Sequence, residues 1–422
     1  MTALPTHLLP TTAEITDDDA LRIGGCDVGA LAEEFGTPLF VYDEAHLRIR
    51  CREAVAAFGD GVAYATKAFL CGAMARLAHE EGMHLDVATG GELHVALHAG
   101  VPAERLVLHG NNKSLHELGM AMKRGVGRIV VDSFDEIARI EDLVASGHLT
   151  PQVLIRVTPG IDAHTHEYLQ TGVADSKFGF GLASGAAAEA AGIMNRSAAM
   201  RLIGVHAHIG SQVYVVDSFR RAVATLAPVV RELGLPELSV GGGLGVPYVA
   251  GETAPTIAEW AEAVFAACRD EGIVARVTAE PGRSIVAAAA ITVYEVGTIK
   301  ELPSRTYVAV NGGMSDNPRP VLYDSGYEAF LPRAVSASRD RSVRIVGKHC
   351  ESGDVIVAAA SIPSDTVVGD LLATPVTGAY GHSMGSNYNM VLRPAVVFVA
   401  DGRARLVVRR ETFEDLVRRD VD

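Results

Sequence analysis

The stretch RIVVDSFDEIARIEDLVASGHLTPQVLIRVTP (Arg128–Pro159) decides the fold. It opens on a β-branched run, RIVVDS, and passes through a helix-like segment, FDEIARIEDLVASG, that stops at Gly147. It then returns to a second β-branched run, QVLIRVTP. Strands that alternate with helices pair in parallel, because each needs a crossover to reach its neighbour. The same unit recurs on both sides. The strand candidates are VAYATK, HLDVA, RLVLHG, RIVVDS, QVLIRVTP, LIGVHAHIG, ELSVGGG and ARVTAEPG, between about residues 60 and 285. Helix-like segments such as SLHELGMAMKRG separate most of them. About eight units over this length match an α/β protein built on a (β/α)8 TIM-type barrel, with a doubly wound open sheet as the structural alternative.

After about residue 290 the texture changes. ITVYEVGTIKEL, RTYVAVNGG, DVIVAAASIP, LLATPVTGAY and AVVFVADGRARLVVRRE are β-rich and lack helical periodicity, which predicts a second, all-β C-terminal domain. PLFVYD (Pro38–Asp43) reads as a strand able to join it. The expected organisation is therefore an N-terminal segment 1–43 packing with the β domain, a barrel over 44–290 and a β domain over 291–422. The connection GIDAHTHEYLQTGVADSKFGFG (Gly160–Gly181) is long for an α/β loop and is a candidate functional loop.

Bulk composition narrows the function. The chain has 422 residues, 48% hydrophobic and 21% charged, the balance of a globular protein. Its net charge of -14, with no basic block, argues against capture of nucleic acid. The five cysteines are scattered without metal spacing, which fits free thiols in a reducing compartment. No run is apolar enough to span a membrane, and the N-terminus lacks a signal-peptide pattern, so a cytoplasmic protein is expected.

In a barrel, chemistry gathers at the C-terminal ends of the strands. Lys67 ends VAYATKAF, and strand alternation sets it on one face with Ala63 and Ala65. That leaves room for a flat ligand, although a solvated strand-end lysine is the plainer reading. GVHAHIGSQ puts His206 and His208 on one face; stacking on a ring or burial in a hydrogen-bonded core fits better than a metal pair, since no third ligand has suitable spacing. Ser211 follows as a donor to an anion. Gly241, Gly242, Gly243 and Gly245 lie past the seventh strand, where barrels bind phosphate, although glycines alone can mark only a tight turn. Glu280, Gly282 and Arg283 end the eighth strand in AEPGRSI. A lysine, a phosphate cradle and an acidic partner for a ring nitrogen are the requirements of pyridoxal 5'-phosphate (PLP).

YATKAF, HAHIGSQ, GGGLG, EPGR, NGGMSDNPRPVLY, HCESGD and GAYGHSMGSNYN, in that order over roughly residues 30 to 415, resemble the fold type III PLP-dependent decarboxylases, most closely the diaminopimelate decarboxylases. The resemblance implies that Lys67 carries PLP as a Schiff base and that Glu280 pairs with the pyridine nitrogen. An arginine stands against that nitrogen in the related alanine racemases, so a glutamate favours decarboxylation. His208 would stack on the ring. Ser211, Gly243, Gly282, Arg283 and Tyr380 would hold the phosphate, and Asp86 would face the cofactor or serve a structural turn. Arg283, Arg319, Tyr323, Tyr380 and Glu351 would contact the amino-acid substrate. Cys350 would donate the proton that quenches the carbanion. The family pattern further implies a homodimer with active sites at the interface, and decarboxylation of meso-2,6-diaminopimelate to L-lysine and CO2. The alternatives are another substrate (ornithine, arginine or a carrier-bound glutamyl group) or a non-catalytic regulatory paralogue. His382 departs from the pattern, standing where an aromatic hydroxyl is common, and the first twenty or so residues have no family counterpart.

Overall fold

The computed structural model describes residues 4–161 and 175–421. The central part of the long connection singled out above (162–174) lies outside them. The chain divides into two compact units, one of residues 50–245 and 254–284, the other of residues 1–49, 246–253 and 285–422.

The first unit is the expected barrel. Its eight strands are β1 (Ala63–Ala65), β2 (His84–Val87), β3 (Leu106–Leu108), β4 (Arg128–Val131), β5 (Gln152–Thr158), β6 (Arg201–His206), β7 (Glu237–Ser239) and β8 (Arg276–Thr278). Each pairs in parallel with the next in chain order. Backbone bonds from Ala63 to Ala279 (2.9 Å) and from Ala65 to Pro281 (3.1 Å) join the first strand to the segment that follows the last. Val107, Val130, Leu154 and Ile203, one from each of β3 to β6, form a buried apolar cluster. The helices are amphipathic and capped as the sequence dictates. Ser114 and Thr256 each close a capping box with a glutamate three residues on. Trp260 is wholly buried, 4.8 Å from the Phe58 ring and 5.2 Å from that of Phe219.

At the N-terminal ends of the strands, charge takes over from apolar packing. Glu237 accepts from both Arg128 and Arg276, and Asp60 lies 3.0 Å from Arg105 and 3.7 Å from Arg276. Conserving such a network costs no chemistry, because function gathers at the opposite end. A second ionic pair is deeply buried. The Lys113 ammonium sits 2.8 Å from Glu136 and donates to the carbonyls of Gly110 and Val130, each at 2.7 Å. All three of its protons are used, which is the condition for tolerating an ammonium in the interior.

The second unit is built on one mixed sheet, separate from a small antiparallel sheet formed by Glu14–Ile15, Leu21–Ile23 and Cys26–Asp27. Its strand order is Val355–Ile362, Arg341–Val346, Arg305–Val310, Ala290–Leu302, Leu39–Asp43, Ala395–Ala400 and Arg403–Val408, with Leu371–Pro375 also paired to Ala290–Leu302. Leu39–Asp43, buried along its whole length, pairs antiparallel to Ala290–Leu302 and parallel to Ala395–Ala400. Arg341–Val346 is a strand that the apolar runs do not mark, because Arg341 and Arg344 interrupt it. No helix among the described residues is long and apolar enough to cross a membrane.

Replacing Lys113 with Met leaves Glu136 as an uncompensated buried charge. The expected loss is ~3–5 kcal/mol of stability, read from denaturant unfolding, with most of it recovered in the Lys113→Met/Glu136→Leu double variant.

Candidate active site

Lys67 does not end a strand. The strand β1 stops at Ala65, and Lys67 projects from a single 3-10 turn, Thr66–Ala68, so the expected alternation with Ala63 and Ala65 does not reach it. The turn is anchored from both sides: the Thr66 hydroxyl donates to the Asp86 carbonyl at 2.8 Å, and the Tyr64 hydroxyl donates to that of Phe69 at 2.6 Å. A lysine on a pinned turn is held in place by backbone and still free to react along its own stem. The ammonium is near enough to bias both Asp86 and His208 electrostatically.

Two buried carboxylates share this rim, on β2 and just past β8. Burial pushes Asp86 up, and the charge of Glu280 pushes it further, well above the usual carboxylate range. Burial pushes Glu280 up as well, but His206, His109 and the hydrogen bonds from His206 and Ser239 outweigh it and hold Glu280 well below that range. The bonds are short: His206 Nε2 lies 2.9 Å from Oε2, and the Ser239 hydroxyl donates to Oε1 at 2.7 Å. His109 Nε2 stands 3.6 Å from Asp86 and 3.5 Å from Glu280. Burial holds His109 well below its ordinary range against the pull of Glu280. Of the two, Asp86 is pushed toward holding its proton and Glu280 toward giving its proton up. His109, His206 and Glu280 also bring one ligand atom each within 4.8 Å of one another; the 2.9 Å hydrogen bond accounts for the closeness of two of them.

His208 lies two residues past the end of β6. The backbone N–H of Gly242 donates to its Nδ1 at 3.0 Å, which fixes the ring against the glycine turn. Burial, reinforced by Lys67 and Arg156, holds it well below the ordinary histidine range. A neutral ring in a fixed plane is suited to stacking.

The glycines are needed for space. A Cβ on Gly243 would lie 2.1 Å from the Gly210 carbonyl oxygen, and one on Gly242 would lie 2.2 Å from that of Glu280. Gly243 adopts φ +113°, open only to glycine. The N–H groups of Gly241, Gly242 and Gly245 donate to Ser239, His208 and Val213, so they are already spent inside the protein. Gly243 is the member of the cluster whose N–H is left to meet an anion. Ser211 accepts from the Arg283 guanidinium at 3.0 Å, and Gly282 packs within 3.0 Å (at its would-be Cβ) of Ala65. The barrel unit thus holds Lys67, Asp86, His208, Ser211, Gly243, Glu280, Gly282 and Arg283 at the C-terminal ends of its strands. Cradle, anion, neutral ring and pinned lysine fit a pyridoxal phosphate.

The sequence reading did not single out His109 or Arg156. Arg156, in the middle of the apolar strand QVLIRVTP, is buried 3.5 Å from Asp132 and lies over the Phe178 ring at 4.3 Å. An arginine interrupting an otherwise apolar inner strand is a signal in its own right.

Arg319, Tyr323, Cys350, Glu351 and Tyr380 belong to the β unit. Arg319 is 2% exposed, on the short helix Arg319–Tyr323. It donates to the Tyr327 and Ser325 hydroxyls at 2.6 and 3.1 Å and lies over the Tyr248 ring at 4.0 Å. Its Nε is buried without a hydrogen-bond partner, and no carboxylate pairs with it among the described residues. Tyr380 stands close enough to bias it. Cys350 is the exposed thiol, while Cys26, Cys51, Cys71 and Cys268 are buried. Its loop is rigid at the base. Buried Asp354 accepts from the N–H groups of Met314 (2.6 Å) and His349 (2.8 Å), His349 Nε2 lies 2.9 Å from the Ser315 hydroxyl, and the Cys350 N–H donates to Asn389 at 3.0 Å. Cys350 and Glu351 are therefore displayed outward from a clasp that also holds the loop leading to Arg319.

Within that clasp, burial and the neighbouring Asp354 charge push Asp316 up to about 7, against the Gly313 N–H that bonds it. A raised acid carries no penalty below its unfolded pKa and loses stability as pH climbs from about 4 to about 7. Asp316→Asn is thus expected to leave thermal stability unchanged below about pH 4 and to raise it progressively from there, by up to ~4 kcal/mol above neutrality.

Residues 44–287 match the family model described as the pyridoxal-dependent decarboxylase, pyridoxal binding domain. The chain is 48% identical to the diaminopimelate decarboxylase of Mycobacterium tuberculosis, over 98% of this chain and 99% of the relative. It is 46% identical to that of Bacillus subtilis, over 95% of each. Among solved structures it is similar to diaminopimelate decarboxylase from M. jannaschii in co-complex with L-lysine, with TM-score 0.91, 32% identity and 98% of each chain covered. The chain belongs to the pyridoxal-dependent decarboxylase family, among its diaminopimelate decarboxylases.

Proposed function

We propose that the protein removes CO2 from meso-2,6-diaminopimelate to give L-lysine. The observation that carries the reading is the ionised Glu280 at a rim that also presents Lys67 and a glycine cradle. An anion there keeps a pyridine ring nitrogen protonated, and PLP, when bound, supplies the electron sink for the charge left by departing CO2. Lys67 would hold the cofactor covalently through its amine. His208 covers the ring face. Ser211, Gly243, Gly282, Arg283 and Tyr380 hold the phosphate, and Asp86, as a neutral acid, donates a hydrogen bond toward the cofactor.

Substrate selection falls to the β unit. A buried guanidinium with only hydroxyl and ring partners suits a carboxylate, for which paired N–H groups give geometric specificity. Arg319 takes that role, with Arg283, Tyr323 and Tyr380 beside the substrate and Glu351 accepting from its distal ammonium. Cys350 would supply the proton that takes the place of the departing carboxylate; an exposed thiol on a clasped loop can meet a substrate without unfolding anything. The outward display of Cys350 and Glu351 supports service to the barrel of a second copy, in a homodimer. Acting on a small metabolite, the protein belongs in the cytoplasm.

With PLP and meso-diaminopimelate, purified protein is expected to release CO2 and lysine, with ornithine and arginine turned over at least ~100-fold more slowly. Release from ornithine or arginine but not from diaminopimelate would reject the assignment. Lys67→Ala should lose the visible absorbance of bound cofactor. Cys350→Ala should keep that absorbance and lose ~10²–10⁴-fold in turnover. Mixing these two inactive variants tests the shared site: an equimolar, fully exchanged mixture should regain about one quarter of the wild-type rate, whereas sites complete within one chain would regain none.

A further inference from the structure

The grip on Glu280 is more specific than burial requires. His206 closes β6, is 1% exposed, and turns Nε2 to Glu280 Oε2 at 2.9 Å. Ser239 closes β7, and its hydroxyl oxygen accepts from the Gly241 N–H at 3.2 Å. With that lone pair used, the one hydroxyl proton points along the 2.7 Å contact to Glu280 Oε1. His206 Nδ1 is buried with no hydrogen-bond partner, so a second proton on the ring would bury an unpaired N–H. The ring proton therefore sits on Nε2. Both carboxylate oxygens then face donors, and a proton on Glu280 would clash with one of them. Edge-to-face packing of His206 on His109, with centroids 4.9 Å apart, stops the ring from turning away.

We infer that His206 is a positioning residue, holding Glu280 as a carboxylate in one orientation and so setting the protonation of the pyridine nitrogen that Glu280 pairs with. The inference rests on the reading of Glu280 given above. Ser239 provides the second fixed donor, and Asp86 cannot take over, because it faces the same rim as a neutral acid. The device needs residues from the ends of three strands, 41 and 74 positions apart in the chain from Glu280.

The test uses holoenzyme loaded with PLP carrying nitrogen-15 in the ring, whose NMR shift reports whether that nitrogen is protonated. Wild type is expected to show the protonated shift across neutral pH. His206→Leu should move it toward the unprotonated position and lower kcat roughly 10-fold or more, with KM for the amino acid little changed. His206→Gln should restore both readouts, since its amide N–H can reach Oε2. The signal comes only from folded protein holding cofactor; should His206→Leu fail to load, the His206→Asn variant, whose amide sits too short to reach Oε2, is read in its place with the same expectation. Glu280→Gln separates the two layers. If Glu280→Gln leaves the nitrogen protonated, the reading of Glu280 itself fails. If Glu280→Gln shifts the nitrogen and His206→Leu or His206→Asn does not, the inference about His206 is overturned and that reading stands.

Discussion

Two carboxylates buried on one barrel rim are pushed in opposite directions, and the rest of the site follows from how that difference arises. Asp86 meets burial and the opposing charge of Glu280, which outweigh the cations of Lys67 and Arg156 and push it toward holding its proton. Glu280 meets two well-placed donors and gives its proton up. Neither outcome is intrinsic to the residue type. Each is set by which strand end carries a donor, and the parallel barrel brings the ends of β6, β7 and β8 to one place. A neutral acid and an anion in adjacent positions are what a ring nitrogen and a lysine-held cofactor require of their surroundings.

The β unit solves a different problem with the same means. Its functional groups sit on loops, and loops are normally the mobile part of a fold. Here a buried carboxylate replaces secondary structure as the organiser. Asp354 ties the backbone of Met314 to that of His349, and the two glycines it touches leave no room for a side chain: a Cβ on Gly347 would come within 2.2 Å of its carboxylate and one on Gly313 within 2.7 Å. The loop that leads to Arg319 and the loop that carries Cys350 thus share one anchor. Arg319 is itself a cation kept in the interior by hydroxyls and ring faces, an arrangement that retains its full charge for an anionic guest.

Much of this was legible in the chain. All eight barrel strands lie in the runs read as strands, β6 starting one residue earlier, because most strand positions in a sheet buried on both faces are apolar, with Asp86 and Arg156 among the exceptions. Arg341–Val346 escaped notice because its exposed face carries arginines. The setting expected for Lys67 was wrong: it lies in a 3-10 turn, separated by one residue from the strand end, and alternation says nothing about a turn. The glycine cluster was rightly placed, but three of its four N–H groups are consumed inside the protein, which only coordinates reveal. His109 and Arg156 were not read, although Arg156 is a polar residue in an apolar strand and His109 directly follows one. The bond from His206 to Glu280 lay beyond reach, since nothing local ties positions 74 apart.

The central claim is the opposite protonation of the two acids, and neutron diffraction from crystals of the holoprotein at neutral pH would read it directly. The account predicts a deuteron on Asp86 and on His206 Nε2, and none on either oxygen of Glu280. A deuteron on Glu280 beside a bare Asp86 would contradict it.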